Sequence, residues 1–528
     1  MDLVTIVMWS LIIGGVAGAF FIIRSYAKGL KECPRDMWFL FIYKVLEYTA
    51  YAAMNMTFIL WLSRDCGLGD IAAGSYISGW SIMLSVIAMI AGALVDTIGI
   101  KKTLLISVVF LLISRFFMAF VTDPVLAFIL GFTPLAIGFG IVGPVVSVAI
   151  KKYTTKEGAA LGFGLFYVVM NIAYAIGGWF FDFVRGKFAL RDTTGKIINE
   201  NAGTLIFGHH FSTYQMFFIF GFCFTLVSMF FIFFLREGIE LNDDGKVVEI
   251  PMKKRGSGFG AIKSTAVDTF MTIRNVMKEK YFWIFLGMLS LTLFVRFIFF
   301  HMHYTFPKYG IRVLGEGAKI GSVYGVLNPV LVIYLVPFIA YFTKKTSSYK
   351  MMIIGSTISA FSCFIPMIPV GVFAGLTDTM LGELVLVKWL GIADSMPALL
   401  KFVENNPSVY EYWPMMAFFL VFTVGEAIWS PRLMQFTAEI APKGKEGTYI
   451  ALSVLPWFAA KFVVGPMSGI LVNAYVPLGE NGEILSSYPN HAMVWVWIGA
   501  MAIFTPLGLL VFRKLFNHKI DATEPETV

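Results

Sequence analysis

TLLISVVFLLISRFFMAFV, residues 103–121, carries a single charge, Arg115, in nineteen positions. As a helix rising ~1.5 Å per residue it reaches about 28 Å, close to the roughly 30 Å hydrocarbon core of a bilayer. Moving outward in both directions, twelve more stretches read the same way: 3–23, 37–62, 71–95, 125–149, 159–182, 213–235, 282–304, 321–342, 351–373, 413–431, 449–473 and 493–512. The stretch 381–393 is apolar too, but it holds Glu383 and Lys388 and reads as a loop helix. Lipid offers backbone groups no partner, so a crossing segment must bond internally as a helix or close into a barrel. Runs this long, without alternation of apolar and polar residues, exclude the barrel. The chain is therefore an all-α polytopic membrane protein. Its composition agrees, since 58% of its 528 residues are hydrophobic and only 14% are charged.

Lys and Arg near membrane ends are retained on the cytoplasmic side, so the loops set the orientation. One face collects 26 basic residues and the other 10, which makes the first face cytoplasmic, with the N-terminus outside and the C-terminus inside. The net charge of +8 thus reads as topology. It is not a nucleic-acid patch, because no basic cluster is interleaved with aromatic residues in a polar domain. The membrane is a plasma or bacterial inner membrane. The first apolar run has no basic n-region and no small-residue cleavage site before Arg24, so it reads as a retained helix packing outside a core of twelve. Cys33, Cys66, Cys223 and Cys363 are scattered and indicate neither a disulfide framework nor a metal cluster.

The longest basic-side insertion, about 236–281, divides the twelve helices into two sets of six. The organisation is thus 1–36 extra helix and linker, 37–235 first bundle, 236–281 loop, 282–514 second bundle and 515–528 tail. Inside the loop, Ile262, Ala266, Phe270, Ile273 and Met277 recur at helical spacing, as in an amphipathic interfacial helix or a solvated linker helix. Gly92, Asp96, Gly99, Lys101 and Lys102 follow the second core segment in the pattern GxxxDxxGxKK. This resembles the cytoplasmic loop signature of the major facilitator transporters, which implies two six-helix bundles with a solute site between them near the midplane.

Four further segments resemble the proton-dependent oligopeptide transporters. They are YKVLEYTAYAAMN, with Glu47, Tyr51 and Met54 in register; FGLFYVVMNIAYAIG, with Phe166, Tyr167 and Asn171; LNPVLVIYLVPF, with Asn328, Pro329 and Pro337; and GEAIWSPRLMQF followed by EIAP, with Gly425, Glu426, Ser430, Pro431, Ala441 and Pro442. Lys44 stands where that family has its first acid, Tyr48 and Asn55 where it has arginines, Gly143 where it has a lysine, and Ala173 where it has a glycine. The family's coupling and carboxylate-binding cations therefore do not carry over residue by residue.

A charge at the bilayer centre costs on the order of 2.5–3.5 kcal/mol on insertion scales, so it normally faces a cavity or a partner. The charges so placed are Lys44, Glu47, Arg115, Arg296, Glu426 and Lys461. Lys44 and Glu47 are three residues apart and can meet on one helical face, as a coupling pair or as a local ion pair that permits insertion. Lys461 needs an anion, for which Glu426 is the nearest candidate by helix order. Arg115, closer to a helix end, reads as structural. The proton-coupling candidates are Glu47, Glu426, Lys461 and Lys44. The substrate-binding candidates are Tyr48, Tyr51, Tyr167, Asn171, Arg296, Asn328, Glu426 and Trp457, with packing the competing role for each aromatic. By the resemblance, Glu426 takes a substrate amino group.

His301 and His303 are two apart on a helix and no Cys or His lies at ligand spacing, so no metal is expected. No GxxxxGK[ST] loop, nucleophile elbow or HExxH is present, which argues against a nucleotide-driven pump or a hydrolase. The reading is a monomeric, non-enzymatic symporter of small peptide-like or amino-acid-like solutes, with the proton as coupling ion and no cofactor. The alternatives are a uniporter or exporter of another metabolite, and a non-transporting receptor or scaffold.

Overall fold

The computed structural model describes residues 3–155, 158–249, 280–440 and 455–513, less Thr194, Asp243 and Lys344, together with a few positions between 267 and 278. The loop helix expected over 262–277 falls almost entirely outside the described residues, as do Ala441 and Pro442.

The described chain is a stack of helices: α1 (Leu3–Gly29), α2 (Arg35–Arg64), α3 (Asp70–Ile98), α4 (Ile100–Phe120), α5 (Pro124–Lys152), α6 (Ala159–Phe188), α7 (Thr213–Phe233), α8 (Lys280–Leu291), α9 (Leu293–Tyr304), α10 (Phe306–Leu314), α11 (Gly321–Phe342), α12 (Ser348–Ser362), α13 (Tyr412–Ile440), α14 (Leu455–Tyr475) and α15 (Met493–Phe512). Ten of these helical runs are individually long and apolar enough to cross a membrane, and α8 with α9 makes an eleventh bent by 48°. The two expected spans not among these eleven are α2, 30 residues long but less apolar, and α14, 21 residues long and as apolar as α4, part of whose first turn lies outside the described residues. For α2 the reason is composition. It holds Arg35, Asp36, Lys44, Glu47 and Arg64. The span expected over 351–373 also ends early, at a 3-10 turn over Ile365–Met367.

Breaks in the helices have local causes. At the α8–α9 bend, Thr505 of α15 accepts from the Val295 amide at 2.9 Å and donates to the Leu291 carbonyl at 2.7 Å, supplying partners that lipid cannot. The π turns Ala127–Phe132 and Gly321–Val326 lie just ahead of Pro134 and Pro329, whose missing N–H groups cannot continue the α ladder. The loop 383–389 is a π turn joined by a Lys388–Glu383 ion pair at 3.8 Å, in keeping with the loop helix expected there.

Helix α2 packs on α6 and α7, α3 on α5, and α4 on α5 and α7; later in the chain α12 packs on α13 and α15, α11 on α13, and α9 on α14 and α15. Two crossings join the earlier helices to the later ones. Helix α3 lies against α14, where Gly74 and Gly465 bring the two backbones into contact, and α6 lies against α11, where Gly178 meets Gly321 and Gly325. A side chain at any of these glycines would strike backbone. Helix α1 packs outside this core as expected, resting on α6, with Gly15 and Gly18 against Tyr334 of α11.

Three antiparallel hairpins occupy loops between the helices: Leu190–Arg191 with Ile197–Asn199, Thr204–Ile206 with His209–Phe211, and Ile239–Leu241 with Val247–Glu249. The first two mark one end of the helix stack, called the hairpin end below.

Candidate functional site

Glu426 stands fourteen residues into α13, and 8% of its surface is exposed. Asn328 of α11 donates from Nδ2 to its Oε2 at 2.7 Å and to the Thr423 hydroxyl at 2.9 Å. Pro329 follows Asn328 directly, and the π turn before it rotates the asparagine toward α13. Arg296 of α9 and Tyr167 of α6 are close enough to interact electrostatically with Glu426, and the guanidinium lies 5.0 Å from the Trp429 ring. The cluster thus draws on α6, α9, α11 and α13. Asn171 sits one turn beyond Tyr167 and donates to its carbonyl at 2.9 Å.

Lys44 and Glu47 do not pair. Glu47 instead meets Arg115 of α4 at 2.9 Å and accepts from the Ser228 hydroxyl of α7 at 2.7 Å, with both charged side chains fully buried. Lys44 turns to α6, donates to the Phe166 carbonyl at 2.9 Å and lies against the Phe166 ring. Positions three apart on a helix differ by about 60° around its axis, enough for the two side chains to reach different neighbours. Arg115, read as structural, is therefore the counter-ion of one of the coupling candidates. It also donates to the Gly221 carbonyl at 2.9 Å.

Lys461 does not reach Glu426 either. Its ammonium donates to the Ser85 hydroxyl at 2.7 Å and the Ser81 carbonyl at 3.3 Å, both on α3, and lies 5.8 Å from the Phe300 ring. Phe300 is one turn along α9 from Arg296, so one face of α9 connects the Glu426 cluster to Lys461. An aromatic cluster lies beside Ser81. Tyr51 stacks on Phe139 at 3.8 Å, Tyr48 meets Phe139 and Tyr174, and Tyr304 shares a 2.6 Å hydrogen bond with Ser81. The sequence reading missed Ser81, Ser85, Tyr174, Tyr304 and Thr423. One signal was present: Gly74, Ser78, Ser81 and Ser85 recur at spacings of four, three and four, a single small polar stripe along α3.

Of the loop signature, Gly92 and Asp96 lie in the last turns of α3. Gly99 takes φ +88°, a conformation that spares the chain a Cβ clash where α3 turns into α4. Lys101 donates to the Phe233 carbonyl at 2.8 Å, its amide bonds Glu237 at 3.1 Å, and Lys102 is exposed. Trp457 belongs to α14, and its side chain lies outside the described residues. His301 is buried and His303 half-buried, bonded to the Thr305 hydroxyl and the Phe299 carbonyl respectively.

At the hairpin end a second polar region bridges α3 and α10. Asp70 pairs with Lys308 at 2.8 Å and Arg312 at 2.9 Å. Burial there pushes the Lys308 amine down to about 8 despite the nearby carboxylate. Arg64 pairs with Glu316, and Asp182 of α6 accepts from the backbone amides of Gly321 and Ser322, the first turn of α11. A cleft of about 570 Å³ opens beside these pairs.

No curated protein sequence matches the chain. Solved structures share its fold at low identity. Tetrameric PepTSo2 is 13% identical with a TM-score of 0.61, the match covering 91% of this chain and 98% of that one. A bacterial homologue of the human drug peptide transporters PepT1 and PepT2 is 14% identical at TM-score 0.60, covering 92% and 99%. The nucleoside transporter NupG is 12% identical at 0.59, covering 90% and 99%. The family model of the Major Facilitator Superfamily matches residues 40–406, more than half the chain. With its stack of apolar helices, this chain belongs to the Major Facilitator Superfamily and is a multi-pass membrane transporter of small solutes, not an enzyme.

Proposed function

We propose that this transporter is a proton-coupled symporter of peptide-like or amino-acid-like solutes, working by alternating access with Glu426 as the proton-carrying group. The observation that carries the reading is a carboxylate buried at mid-helix, held by a neutral asparagine and facing Arg296 and Tyr167 from other helices. A buried acid with one neutral donor can exchange its proton for a substrate ammonium at small cost. Glu47 is less suited, because Arg115 already neutralises it. The fold likeness to peptide transporters supports the substrate class. In this reading the basic loops face the cytoplasm and the N-terminus lies outside, in a plasma or bacterial inner membrane, with one chain as the working unit. Asp70 with Lys308 and Arg312 would then close the outer side. The test is uptake of labelled di- and tripeptides into proteoliposomes with and without an inward proton gradient. The native chain is expected to concentrate peptide only with the gradient, and Glu426→Gln to lose that accumulation by at least tenfold. Equal accumulation by the native chain and the variant would exclude Glu426 as carrier.

A further inference from the structure

We infer that the central site is built for a solute carrying more negative than positive charge: an acidic peptide or an acidic amino-acid-like anion with two anionic groups. The inference rests on the proposed solute site and narrows it. Among the described residues the centre of the helix stack holds four basic side chains, Lys44, Arg115, Arg296 and Lys461, and two acidic ones, Glu47 and Glu426. Glu47 is used up by Arg115 at 2.9 Å. Glu426 faces Arg296. Lys44 and Lys461 remain, and among the described residues each bonds only neutral oxygen: the Phe166 carbonyl for one, the Ser85 hydroxyl and Ser81 carbonyl for the other.

Two ammonium groups held in lipid-level protein without an acid carry a desolvation cost that a bound anion removes. Their placement matters as much as their number. Lys44 comes from α2 and is fixed to α6, the helix that also presents Tyr167 toward Glu426. Lys461 comes from α14, beside α9, the helix that presents Arg296. Each lysine thus packs against a helix that contributes to the Glu426 cluster, Lys44 against α6 and Lys461 against α9. A solute with one ammonium for Glu426 and two carboxylates for the lysines fits this charge count, whereas a neutral zwitterion leaves a cation unanswered. No covalent step is involved.

The test is equilibrium binding to the purified full-length carrier of Ala-Ala, Glu-Glu and Lys-Lys dipeptides, free glutamate and succinate, for the native chain, Lys461→Gln, Lys461→Arg and Lys44→Gln. The native chain is expected to bind Glu-Glu at least tenfold more tightly than Ala-Ala and to reject Lys-Lys. Each glutamine variant should shrink that ratio to about threefold or less, and Lys461→Arg should keep it. Melting curves in the absence of ligand separate loss of recognition from loss of folding, and Lys461→Arg serves as the folded control. Ala-Ala bound as tightly as Glu-Glu by the native chain overturns the inference and leaves the peptide reading standing. Glutamate or succinate bound with no dipeptide bound overturns the peptide reading and upholds the anionic site. A preference that survives in both glutamine variants overturns the role given to the lysines.

Discussion

Glu47 and Arg115 show how far one contact redirects the reading of a residue. Both are fully buried, so removing one partner strands the other's charge, which typically costs about 3–5 kcal/mol. Glu47→Gln and Arg115→Gln should each lower the melting temperature of the purified protein markedly, and the double variant should recover most of the loss. A double variant as unstable as the sum of the singles would show that the two charges do not act as a pair. At the hairpin end, Asp65 offers a pH test. It accepts from Asn201 at 2.8 Å and Ser212 at 2.9 Å, yet burial pushes its carboxyl up to about 6. A folded value above the unfolded one of about 3.9 means the folded chain holds the extra proton between them. The burden of the buried charge is thus present above pH 6 and fades as pH falls toward 4. Asp65→Asn should raise the melting temperature by roughly 2 °C at pH 7.5 and leave it unchanged near pH 4, as read by thermal unfolding at both pH values.

Among the elements, the α3–α14 and α6–α11 crossings depend on glycine more than on any apolar side chain. In Gly74→Val the added Cβ alone would strike the Gly465 carbonyl and the Ser468 hydroxyl, and overpacking of this kind costs about 1–3 kcal/mol. The expected result is a separation of α3 from α14, read as a longer spin-label distance between the two helices at the hairpin end; an unchanged distance would show that the crossing yields elsewhere. These helices were legible in the sequence because an apolar run of membrane length has one physical solution. The charged α2 was legible as one of those runs, over 37–62, and the resemblance carried by Glu47, Tyr51 and Met54 marked it a second time. Side-chain partners were not legible. Whether Lys44 meets Glu47 or Phe166 depends on where α6 lies, and whether Lys461 meets Glu426 or Ser85 depends on α3 crossing α14, both of which are facts about residues more than a hundred positions away. Two of the hairpins left weak marks, Asp192 to Gly195 and Asn242 to Gly245 at their turns, too short beside the apolar runs to stand out.

For the molecule as a whole, the ion pairs among the described residues that join early to late helices gather at the hairpin end, where Asp70, Asp182 and Arg64 each engage residues between 308 and 322. Deeper in, the links are hydrogen bonds to neutral groups, such as Lys461 to Ser85 and Ser81. Strong contacts at one end and weak ones at the centre make a hinge of the stack. Helix α1 gives that hinge a second constraint. It is wedged on the lipid side against both α6, through Tyr26 over Gly164, and α11, through the Tyr334 hydroxyl on the Gly15 carbonyl. Any motion that parts α6 from α11 on that side must peel this helix from one of them, so α1 lies as a strap across the joint and its contacts oppose that opening.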